Sequence, residues 1–245
     1  MSFRLKVNLI LLAVTLAVML PGGWLVNAVM RGQANQDIIK QADMLMESAL
    51  ASKSYTLELV KPHLDPMLAE KFLPQAIPTF ASTEIFERFR KKFSTFKYKE
   101  AVLDPTNPRD RADEFEREII RRFVDDPALQ EVSGEVYRSQ DRHYYVAKPI
   151  QIKNPACLAC HDSPERAPQT MRAVYGDKGG FGWKLDQTVG AQIVMVPAYE
   201  KDKSTSSLLN VIVGVFILLF TALAVVLNLL IHSSGKSSRM ESRRR

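Results

Sequence analysis

Residues Cys157-Leu158-Ala159-Cys160-His161 read C-x-x-C-H, and Cys157 and Cys160 are the only cysteines in the chain. That spacing is the attachment signature of c-type haem. Two thiols about one helical turn apart can add to the two vinyl groups of one porphyrin, and the next residue, His161, is then held against the iron as an axial ligand. One covalently attached haem c is the cofactor these five residues predict.

Other chemistries use the same residue types. A redox-active dithiol sits at a strand-to-helix junction of a βαβ unit, whereas here Asn154-Pro155 precedes the motif and Asp162-Ser163-Pro164 follows it, which places it in a loop with at most one helical turn. Structural zinc wants four Cys or His ligands, and His63, His143 and His232 are scattered. A disulfide across two residues closes too short a loop to stabilise much.

The iron's second axial position decides between electron transfer and ligand binding. Met46 is the first candidate for sixth ligand and His143 the runner-up; Met44, Met67, Met171, Met195 and His63 are weaker. Met46 shares an apolar helical stripe with Ala42, Ala49 and Leu50, while Met44 lies about 200° away around the same helix. His143 opens the strand leading to the motif. Arg109, Arg111, Lys148 and Lys153 are cations available to haem propionates, and Tyr144, Tyr145, Phe181 and Trp183 are available as cavity walls.

The elements that must position these residues lie between two apolar segments, 7–30 and 208–231. Each is long enough to cross about 30 Å of hydrocarbon as a helix. The first also resembles a signal peptide, with Arg4 and Lys6 before the apolar run and Val26-Asn27-Ala28 after it, but the run continues past that site and reads as an uncleaved anchor. From Arg31 to Lys203 the chain carries 26 Lys+Arg and 26 Asp+Glu, so the net +6 lies in the flanks. The positive-inside rule then puts residues 1–6 and the basic tail 232–245 in the cytoplasm. The domain 31–207 lies in the periplasm of a bacterium, anchored in the inner membrane. Arg243-Arg244-Arg245 is read as a topology signal touching lipid headgroups rather than as a nucleic-acid contact. The short tail holds no kinase or receptor output domain, so any signal is expected to leave through a protein partner.

Between the anchors, Ile38, Ile39, Ala42, Leu45, Met46, Ala49 and Leu50 recur at helical spacing, predicting a long helix ended by Lys61-Pro62. A Pro-rich connector runs to Pro78, and Ser82 is read as the cap of a short amphipathic helix. A strand is predicted within 93–102, a helix at 112–123, a hairpin from 133–138 and 143–152, and a strand at 189–196. The order predicts an α+β domain, an antiparallel sheet flanked by helices.

Asn107-Pro108, Ala112-Asp113, Phe115-Glu116, Tyr145, Lys148-Pro149-Ile150, the C-x-x-C-H run, Gly180-Phe181-Gly182-Trp183-Lys184 and Val189-Gly190-Ala191 together resemble the c-type-haem sensor domains with a PAS-like fold. The resemblance covers roughly 33–198. It implies an exported sensory module, but many members precede a HAMP segment, histidine kinase or chemoreceptor, and this chain departs from them there. Its first reading is a membrane-anchored redox or small-ligand sensor acting through a signalling or redox partner. The second is an electron-transfer subunit. An enzyme is not expected, because no distal acid–base set stands out. The long membrane-rooted helix points to a homodimer.

Overall fold

Alternation of apolar side chains builds a four-stranded antiparallel sheet in the order β1-β4-β3-β2, from β1 (Lys97–Val102), β2 (Val132–Arg138), β3 (Asp141–Gln151) and β4 (Thr188–Pro197). In this computed structural model, which describes residues 3–138 and 141–242, the chain divides into two units, Asp37–Tyr199 and the pair Met1–Gln36 with Glu200–Arg245. The hairpin link residues Ser139 and Gln140, and Arg243–Arg245 of the basic tail, lie outside the described residues.

In the unit Asp37–Tyr199 the two-residue period of the central strand feeds two separate apolar layers. Ala191, Ile193 and Met195 of β4 pack with Ala101, Tyr145 and Ala147. They meet Ile119, Ile120 and Phe123 of the helix Glu114–Asp125. Val194, Val196 and Ala198 point the other way, onto Ile38, Ala42, Met46 and Ala49 of the long N-terminal helix and Phe86 of the helix Pro78–Arg90. The expected α+β architecture, a sheet covered on both faces, is what the chain adopts.

In chain order the helices are α1 (Phe3–Tyr55), α2 (Lys61–Leu64), α3 (Pro78–Arg90), α4 (Glu114–Asp125), α5 (Leu158–His161), α6 (Gln169–Tyr175) and α7 (Tyr199–Ser242). Helix α1 runs through Pro21 and passes by a π-helical turn, Thr56–Val60, into α2. Helix α4 opens on a capping box, in which Asp113 accepts from the Glu116 backbone and the Glu116 side chain accepts from the Asp113 backbone. Helix α3 starts five residues earlier than expected. Proline fits a first helical turn, so Pro78 begins it after Ile77, and Ser82 lies inside the helix, where its hydroxyl reaches across to Glu100 at 2.9 Å.

In the other unit, α1 and the Asn210–Ile231 part of α7 are each long and apolar enough to cross a membrane. Asn8, near the start of α1, accepts a 2.9 Å hydrogen bond from Asn228, near the end of α7. The two helices therefore run antiparallel, with the start of one beside the end of the other. Asn228→Leu is expected to weaken their association by about 0.6 kcal/mol, the usual worth of one polar contact between membrane helices. A steric-trap unfolding measurement in bilayers checks this, and a loss well above about 2 kcal/mol would mean the pair does more than tie the helices together.

Candidate functional site

A cavity of about 350 Å³ opens at one end of the sheet and takes Cys157, Cys160 and His161 into its wall. Its other walls include Lys53 and Leu57 of α1 and the π turn, Phe72 and Ile77 of the connector with Phe80 of α3, Glu100 and Val102 of β1, Arg109 and Asp110 of the turn after β1, Ile150 and Ile152 at the end of β3, and Met171 and Tyr175 of α6. The volume falls within the range of small-molecule pockets, and the mostly apolar wall with a few convergent polar groups is their usual chemistry.

The motif lies on a short 3-10 turn, Pro155–Cys157, running into the single turn of α5. The Asn154 side chain starts that turn by accepting from the Ala156 backbone at 2.9 Å. Both cysteines are free and half-buried. Burial pushes the Cys160 thiol up from its ordinary value, against the nearby Lys61 charge. A reactive dithiol needs the opposite environment, one that favours thiolate.

His161 is locked from three sides. Its Nδ1 lies 2.7 Å from the Gly180 carbonyl oxygen, so Nδ1–H donates there. Its ring stacks on Trp183, with centroids 4.0 Å apart and planes 13° from parallel. The Trp183 N–H donates to its carbonyl at 3.2 Å, and Gly182 N–H donates to the neighbouring Asp162 carbonyl at 2.9 Å. Burial holds the imidazole below its ordinary pKa, and the Gly180 hydrogen bond only partly opposes this. The result is a neutral ring whose Nδ1 carries the proton, leaving Nε2 with its lone pair. Metal-binding histidines are commonly prepared in this way.

The loop that grips His161 requires glycine at position 180. Gly180 has φ +81°, and a Cβ there would sit 1.9 Å from Thr106 Oγ1 and 2.7 Å from the Thr106 nitrogen. Gly180→Ala is expected to cost at least about 2 kcal/mol, from the left-handed backbone and the collision together, and to free the His161 ring. The urea midpoint of the full chain in mild detergent measures the loss; an unchanged midpoint would show that the loop relaxes without harm.

The structure places the expected site residues unevenly. Met46 is 1% exposed and buried against Val194 and Val196, outside the cavity wall. Helix α1 faces the sheet at Met46 and reaches the cavity only at Lys53, seven residues and about 10 Å further on. His143 is also outside. It is buried opposite Pro197, with Nδ1 3.2 Å from the Asp141 carbonyl, and about 23 Å of strand separates it from the cavity end of β3 at Ile150. Of the methionines considered, Met171 is the one in the wall, 3% exposed. Of the cations, Arg109 lines the cavity, whereas Lys148 pairs with Glu47 at 2.7 Å. Trp183 is in the wall, but Tyr145 packs edge-on to Phe115 on the α4 side of the sheet.

Several lining residues went unrecognised in the sequence, chiefly Lys53, Lys61, Glu100, Asp110 and Tyr175. Glu100 was readable, since a period of two from Tyr98 puts it on the same inward face. Its carboxylate is fully buried and accepts from Lys53 Nζ at 2.8 Å, Ser82 Oγ at 2.9 Å and Tyr98 Oη at 2.6 Å. Burial and the Glu100 charge push the Tyr98 hydroxyl up, so it stays protonated as the donor.

A helix-covered antiparallel sheet with a cavity walled by two thiols and an oriented imidazole defines an α+β module with a candidate ligand site. The chain belongs to the Tll0287-like family, whose model matches residues 31–197. Among solved structures it is similar to the cyanobacterial heme-protein Tll0287, at 16% identity over 65% of this chain and 94% of that one, with a TM-score of 0.49. No curated protein matches it.

Proposed function

We propose that this chain is a membrane-anchored haem protein that works as a redox or small-ligand sensor module and signals through a partner protein. The observation that carries the reading is the joint placement of Cys157, Cys160 and a His161 ring with Nδ1–H already bonded, all in one apolar cavity. These residues fit a haem. Two thiols can form the thioether links, Nε2 can take one axial position, and Trp183, Phe72, Ile77 and Phe80 offer apolar surface to a flat ring. Lys61 is the lining cation nearest the cysteines and is available to the carboxylate edge, while Arg109 is held by Glu84 and Asp110. The family's namesake is described as a heme-protein, which supports the same cofactor here. The bound haem would supply an iron that changes oxidation state or takes a small ligand.

Two spans tied antiparallel by Asn8 and Asn228, with basic residues flanking both, support a two-pass protein of the bacterial inner membrane with its main domain in the periplasm. Electron transfer within a membrane complex is the second reading. It is favoured if the second axial position holds a firm protein ligand, for which Met171 is the candidate in the wall.

The test uses full-length chain made in a host with c-haem maturation. Haem staining after denaturing electrophoresis is expected to be positive, and a negative stain sinks the covalent reading. Carbon monoxide added to the reduced protein then separates the functions. Slow binding that becomes rapid in Met171→Ala assigns Met171 as ligand and favours electron transfer or redox sensing. Rapid binding by the unaltered protein assigns an open site and a ligand sensor.

A further inference from the structure

The cavity wall contains two buried carboxylates, and they are compensated very differently. Glu100 is met by an ammonium and two hydroxyls, as described above. Asp110, on the 3-10 turn Pro108–Asp110, is 8% exposed, and among the described residues its ion pair is with Arg109, Nε to Oδ1 at 3.3 Å. That guanidinium is already engaged. Its Nη1 donates to Glu84 at 2.9 Å, and its plane sits 4.9 Å over the Phe80 ring. The charged or titratable groups facing Asp110 are Arg109 on its own turn, Tyr98, Lys99 and Glu100 on β1, and Tyr175 on α6. Behind Glu100 stands Lys53 of α1, and Glu84 of α3 holds the far side of Arg109. Asp110 is therefore the wall group whose negative charge is least neutralised.

Building on the haem reading, we propose that Asp110 is a proton-binding site coupled to the cofactor: it takes up a proton when the haem gains an electron and releases it on oxidation. The electron comes from an external one-electron donor. The proton comes from solvent and forms an O–H bond on a carboxylate oxygen of Asp110, and on reoxidation both leave. The physical reason is charge. An added electron makes a water-poor cavity more negative, and the nearby carboxylate with the weakest compensation is the group that restores neutrality. Burial, helped by the Glu100 charge and opposed by Arg109, already lifts Asp110 to about 6 in the structure. Reduction raises it further. Below the value of the oxidised state Asp110 is protonated in both redox states and the potential is flat. As pH rises from there to the higher value of the reduced state, the potential falls.

The experiment is a spectroelectrochemical titration of the full-length haem-loaded protein in detergent, with mediator dyes as electron donor, across mildly acidic to mildly alkaline pH. For one electron and one proton, each tenfold drop in proton concentration lowers the midpoint by up to about 59 mV. The expected result is such a slope within that pH range, lost in Asp110→Asn. Glu84→Gln, at a half-exposed position, keeps the carboxylate and frees Arg109 to pair with it more fully, so its sloping window is expected to move to lower pH. A flat profile in the unaltered protein overturns the proposal, as does an unchanged slope in Asp110→Asn or an unmoved window in Glu84→Gln. Should Asp110→Asn not fold, the Glu84→Gln shift and a redox difference infrared band of a protonated carboxyl decide it. A protein that carries no haem refutes the haem reading itself, whereas a flat profile with haem present refutes only the proton site.

Discussion

A chain carrying Cys157→Ser and Cys160→Ser is expected to lose all covalently held haem while its α+β unit still folds. The two cysteines are half-buried free thiols on a short turn outside both apolar layers, so serine removes the reactive sulfurs at little cost to packing. Haem staining on a denaturing gel is expected to fall to background, and circular dichroism to keep its helix and strand content. Each single serine variant is expected to retain one thioether and a weaker stain. His161→Ala tests the other half of the site: attachment survives, but the axial bond goes and the absorption spectrum changes class. A double-serine protein that still stained would exclude these thiols as the attachment points, and the motif would have to be read again as a dithiol.

The second large effect concerns stability. Lys53→Met is expected to destabilise the unit by about 3–5 kcal/mol, the range for removing one partner of a buried ion pair. Glu100 is 0% exposed, and only Lys53 among its three partners carries charge. The methionine side chain fills much of the same space, so the loss reports the uncompensated carboxylate rather than a void. Lys53→Met combined with Glu100→Leu is expected to recover most of the stability, because a well-packed apolar pair costs little where a lone buried charge costs much. Urea unfolding of the four chains of this cycle in mild detergent gives the coupling. If the double variant were no more stable than Lys53→Met alone, the pair would matter through packing and not through charge.

These expectations draw on different levels of information. The β-rich run 189–196 announced a strand, and the stripe at Ile38, Ala42, Met46 and Ala49 announced the helix face that covers it. Both signals are local, and a buried face must be continuous whatever it packs against. The same locality misled at Ser82. A serine near a helix start is ordinarily a cap, but the proline at 78 had already begun the helix, and the hydroxyl serves Glu100 instead.

The sequence by itself determined the C-x-x-C-H motif, the two long apolar segments and the α+β order of elements, because each rests on residues adjacent in the chain or repeating at a fixed period. Only the tertiary structure decided what surrounds that motif. It set Met46 against the sheet and His143 at the far end of β3, and it put Met171 in the cavity wall. It brought Lys53, Glu100 and Asp110 from three separate elements to one cavity, and it placed the Gly180 carbonyl on His161. Contacts between residues far apart in sequence depend on strand order, helix rotation and loop path together. No periodicity encodes that combination, so the residues that line the cavity became visible only once the chain was folded.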